Sequence, residues 1–192
     1  MSVSSPTFGV ILTINSKTMP KNNLEVWLRG PMPDVPPLLQ PVAHALLQAQ
    51  EELHEYLSDF PDNLLWQRPA DVASVAFHLQ HLTGVLDRIF TYARGESLSE
   101  IQMQNLKAEG VENTEITVQQ LIEDFNKQIE KAIFQLENTV EATLKEVRGV
   151  GRAQIPSTVI GLLFHAAEHT TRHLGQLLVT SKVVKKITDL SV

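Results

Sequence analysis

His165-Ala166-Ala167-Glu168-His169-Thr170-Thr171-Arg172-His173-Leu174-Gly175-Gln176 sets three histidines four residues apart near the C-terminus. Four residues is a little over one helical turn, so the three imidazoles leave a helix from nearly one face. Upstream, His78 and His81 stand three apart in a second apolar pattern of helical period. Imidazole pairs at this spacing are natural transition-metal ligands. A further histidine from a neighbouring helix would complete a site with one position left open. These two segments predict a metal-binding helical bundle.

The pattern around them is helical throughout. Leu38, Leu39, Val42, Leu46, Leu47, Ala49, Leu53 and Leu57 recur at intervals of three and four, and Pro61 ends the run. Val72, Val75, Ala76, Leu79, Leu82, Val85, Leu86, Ile89 and Phe90 predict a second helix from about Asp71 to Ala93, stopped at Gly95. The polar segment to Glu115 has room for a short helix. Thr117-Val118-Gln119-Gln120 reads as a capping box opening a third helix, whose stripe runs from Leu121 to Val140 and Leu144. Gly149-Val150-Gly151 breaks the chain, and Pro156 and Ser157 open a fourth helix reaching about Val184. Four long amphipathic helices imply an all-α four-helix bundle over 37–192. Residues 1–36, punctuated by prolines, read as an irregular extension. Strand signals are weak outside its Phe8–Ile14 run.

Composition narrows the function. The net charge is −6 with the histidines neutral and there is no basic run, which argues against nucleic acid as a partner. With no cysteine, any metal must be held by nitrogen and oxygen. The Phe8–Ile14 run is too short to cross a bilayer, so no membrane role is expected and the location is read as cytoplasmic.

One ion cannot be shared by His165 and His173, because eight residues separate them by about 12 Å along the helix. The ligating pair is therefore 165/169 or 169/173, with His78 or His81 crossing from the second helix. Gln176 returns to the face of His169 and is a candidate to hold a metal-bound water or to orient a ligand. Glu168 precedes His169, unlike the His-Glu-x-x-His order of zinc proteases. Only Glu51-Glu52-Leu53-His54 offers di-iron spacing, and it has no counterpart. His44 and His54 read as ordinary residues, and Asp87-Arg88 as a solvated pair.

Ser74-Val75-Ala76-Phe77-His78-Leu79-Gln80-His81-Leu82 together with His169-Thr170-Thr171-Arg172-His173-Leu174-Gly175-Gln176 resembles the DinB/YfiT-like metalloenzyme superfamily over about residues 38–183. Ala73 stands where that family usually has Trp. The resemblance implies His81 as the helix-two ligand, seven residues after Ser74. It implies His169 and His173 as the helix-four ligands, completing a histidine triad, with His165 beside them; His78, Arg172 and Gln176 are further candidates near the pocket. It further implies a divalent ion (zinc, nickel, iron or manganese), a homodimer, and a small-molecule substrate. Characterised relatives are similar to transferases and isomerases that use a low-molecular-weight thiol such as mycothiol, bacillithiol or glutathione. The expected function is a metal-dependent S-transferase or hydrolase; the alternative is a non-catalytic metal- or ligand-binding bundle.

Overall fold

A computed structural model describes residues 24–190; the Phe8–Ile14 run lies outside them. Four long helices form the body. They are α1 (Gln40–Leu57), α2 (Val75–Ala93), α4 (Val118–Glu137) and α5 (Val159–Asp189), with the short α3 (Glu100–Ala108) bridging α2 to α4. A two-stranded antiparallel hairpin, β1 (Val147–Val150) and β2 (Ile155–Thr158), precedes α5. Each apolar stripe turns inward. Leu46, Leu53, Leu79, Leu86, Phe125, Ile129, Leu163 and Leu177 lie in one continuous buried cluster, and α2 packs chiefly on α5 and α4. Residues 24–36 lie against α1. Val26 and Val35 are buried, the Val26 amide donates to Gln48 Oε1 at 2.9 Å, and Arg29 pairs with Glu51. No helix among the described residues is long and apolar enough to cross a membrane.

Boundaries differ from the sequence expectation at three places, each for a local reason. α2 begins at Val75, not near Asp71. The Ser74 side chain caps it by accepting from the Phe77 amide, and Ala70 and Asp71 take positive φ in a separate turn. α4 ends at Glu137, so Val140 is exposed, while Leu144 reaches the core from a 3-10 turn. The largest correction is the hairpin. Gly149 and Pro156 face each other across it, where the sequence suggested a break and a helix start. α5 instead opens at Val159, with Thr158 as its cap accepting from the Gly161 amide. The capping box predicted at Thr117 forms as such, and the structure adds one at Ser99. Thr117 and Gln120 exchange hydrogen bonds at α4, as Ser99 and Gln102 do at α3.

Candidate metal centre

Helices α2 and α5 lie side by side, and their facing turns carry the histidines. One ring nitrogen each from His81, His169 and His173 lies within 4.8 Å of the other two. The closest approach is His81 Nε2 to His169 Nε2, 2.9 Å. His81 Nδ1 lies 2.7 Å from the Glu109 carboxylate and donates to it, so that Nε2, unless it too carries a proton, presents a lone pair to the cluster. Two facing ring nitrogens at 2.9 Å repel unless a proton or a cation lies between them. If a proton fills the gap from His169 Nε2, the buried Nδ1 of His169 is left as an acceptor with no donor, and it has no partner.

The fit to a metal is good. Two bonds of about 2.0–2.1 Å can span such a separation. Burial, followed by the neighbouring His173 and His81, lowers His169 to about 4. His173 is lowered as well, first by burial and then by His81. Near neutral pH both rings therefore offer lone pairs, and an all-imidazole set suits a borderline transition-metal ion.

The other candidates divide. His78 is buried and its Nδ1 lies 3.2 Å from His173 Nδ1. Burial, then His173 and His81, lowers it to about 4; if it accepts from His173 Nδ1–H, the other His173 nitrogen is left for the cluster. His165 stands one turn away with its side chain 51 % exposed, 3.6 Å from Glu168. A second set confined to α5, His165, Glu168 and His169, also brings its ligand atoms within 4.8 Å of one another. Its carboxylate, however, is engaged by Arg172, which also fixes where Arg172 points. Arg172 and Gln176 line a cavity of about 590 Å³ together with His78, Val72 and Val179. Gln176 is exposed and contacts no histidine nitrogen among the described residues.

Glu109 and Gly84 had no reading in the sequence, and Arg88 had a different one. Glu109, just past α3, accepts from His81 through Oε2 and from Arg88 Nη1 through Oε1 at 2.5 Å. Burial would raise the Glu109 carboxyl, but the hydrogen bonds from His81 and Arg88 outweigh it and hold the group below the usual carboxylate range. Arg88 is buried, not the solvated partner of Asp87, which accepts instead from Gln102. Gly84 makes room for this. A Cβ there would collide with Glu109 Oε1 and lie 2.6 Å from Arg88 Nη1. His81, Gly84 and Arg88 fall at i, i+3 and i+7 on one face of α2, so a glycine inside a helix was the available signal.

The sequence profile of the DinB superfamily matches residues 45–177, a span that takes in α2, α4 and all three clustered histidines. The chain belongs to the DinB superfamily. Among solved structures, this DinB-superfamily chain is similar to a protein from Streptococcus pneumoniae determined by a structural genomics consortium. The two share 15 % identity with a TM-score of 0.56, over 76 % of this chain and 89 % of that one, a likeness that speaks to the fold. A search of curated proteins finds no match.

Proposed function

We propose that His81, His169 and His173 hold a divalent transition metal and that the protein is a metal-dependent enzyme acting on a small molecule, with a low-molecular-weight thiol as cosubstrate. The convergence of three imidazoles from two helices, with Glu109 fixing the His81 tautomer, carries this reading. A bound divalent ion supplies Lewis acidity that lowers the pKa of a coordinated thiol or water, yielding a nucleophile at neutral pH. The residues do the rest. Glu109 and Arg88 hold His81 in register, and His78 holds His173. The chain has no cysteine to compete for the ion or for an electrophile. The cavity beside His78, with apolar Val72 and Val179 and the Arg172 guanidinium at its edge, supplies space for an electrophilic substrate next to the histidines. A homodimer has apolar surface to use, since Val179, Val183 and Ile187 are exposed along α5.

The test is a thiol-consumption assay. Protein loaded in turn with zinc, nickel, iron or manganese is mixed with glutathione, bacillithiol or mycothiol and an electrophilic acceptor. Metal-dependent loss of thiol that disappears in His81→Ala is expected. Tight metal binding with no acceleration of thiol or water addition across the panel would instead favour the non-catalytic metal-binding bundle.

A further inference from the structure

A second cavity of about 630 Å³ opens at the hairpin end of the bundle, away from the histidines. Asp87 on its rim is six residues beyond His81, and Leu163 six before His169, so about 9 Å of helix separates it from the candidate metal centre. Its walls are Phe90 and Ala93 of α2, Ala132 and Phe134 of α4, and Val159 and Leu163 of α5.

Gln128 is the exceptional group in this wall. Its side chain lines the cavity and the residue is only 6 % exposed, yet its amide makes no hydrogen bond among the described residues and its polar atoms stay open to the cavity. Gln135, two turns later on the same helix, shows the usual solution, accepting from Arg94 and donating to the Phe90 carbonyl at 3.0 Å. An amide that faces an apolar cavity without a protein partner is free to meet a ligand.

The charges choose the ligand. Arg94 is paired with Glu96, and Arg148 with Glu146 and the Ala93 carbonyl. The Asp87 carboxylate is occupied by Gln102. Lys131, one turn from Gln128 and on the same cavity, has no ion pair or hydrogen bond among the described residues. An unpaired ammonium and an unpaired amide thus flank an apolar chamber. We infer that this cavity binds a small amphipathic carboxylate, its head between Lys131 and Gln128 and its apolar body against Phe90, Ala132 and Leu163.

Decanoate is a suitable probe, titrated calorimetrically into the full chain after chelator treatment, so that the result does not depend on the metal reading. Saturable one-to-one binding is expected, with decanol weaker by about tenfold or more because the charged contact is lost. Lys131→Glu, at an exposed position that leaves folding intact, is expected to weaken decanoate by at least about tenfold. Gln128→Leu is expected to weaken it similarly, because the amide contact to the carboxylate is lost. Absence of saturable binding, equal affinity for decanoate and decanol, or decanoate affinity unchanged in both variants would overturn the assignment.

Discussion

Replacing Glu109 by glutamine separates a structural role from a metal-orienting one. The carboxylate has two acceptors in use, Oε2 for His81 and Oε1 for Arg88. The amide has one acceptor and one donor, so it can serve one of the two partners but not both. If it keeps Arg88, the NH₂ group faces His81 Nδ1 and favours the tautomer with the proton on Nε2, the nitrogen that faces His169. If it keeps His81, the NH₂ group faces the Arg88 guanidinium, which loses its hydrogen bond; in either case Arg88, whose side chain is only 10 % exposed, loses its counter-charge. Losing a hydrogen bond to a charged group costs about 1.5–3 kcal/mol, which for a chain of this size lowers the melting temperature by roughly 3–12 °C. Removing the carboxylate that orients a ligand histidine costs about 10–100-fold in metal affinity, or about 1.4–2.8 kcal/mol. Zinc affinity is read by competition with a chromophoric chelator, and stability by thermal denaturation of metal-free protein. A variant with lowered melting temperature but unaltered zinc affinity would refute the claim that Glu109 acts through His81.

Gly84→Ala should destabilise the protein by about 1–3 kcal/mol, because the collision with Glu109 and Arg88 outweighs a helix-propensity gain of about 1 kcal/mol; equilibrium denaturation giving a more stable variant would contradict the close approach. Metal-free protein should lose stability as pH falls from about 6.5 toward 4. His78 and His169 are held near 4 in the fold against an ordinary 6.5, so the unfolded chain binds more protons in that window. For the nearly fully buried His78 the loss is on the order of 3 kcal/mol; a denaturation midpoint independent of pH between these limits would be inconsistent with neutral buried rings. His165→Ala should leave zinc affinity within about threefold of wild type, against a loss of 100-fold or more for His173→Ala; comparable losses would point to the set on α5 alone.

The helical period was strong enough in the sequence to give all four long helices, since one apolar face per helix is what the core requires. The capping box at Thr117 gave an element boundary as well. The errors fall where local pattern and tertiary context part. Val140 and Leu144 continue the α4 stripe by spacing, yet the chain turns after Glu137 and only Leu144 is buried. The hairpin carries Gly149 and Pro156, residues that weaken a strand reading, and it is held by cross-strand pairing and by packing against α2 and α5. At the site, the spacing of His165, His169 and His173 limited which could act together. The crossing of α2 against α5, which puts His81 beside His169, is a tertiary fact. Glu109 was out of reach altogether. It arrives from 28 positions along the chain, beside a polar helix, and only the interior glycine at 84 hinted that something must approach α2 closely.

In the proposed metal centre, imidazoles from α2 and α5 share one cation. Metal content measured by mass spectrometry on protein produced without a histidine tag, alongside His169→Ala prepared identically, addresses it directly. About one equivalent of a divalent transition metal in the wild type, lost in the variant while the helical circular dichroism is unchanged, is the predicted result. Equal metal content in both proteins, or none in the wild type after reconstitution, would contradict it.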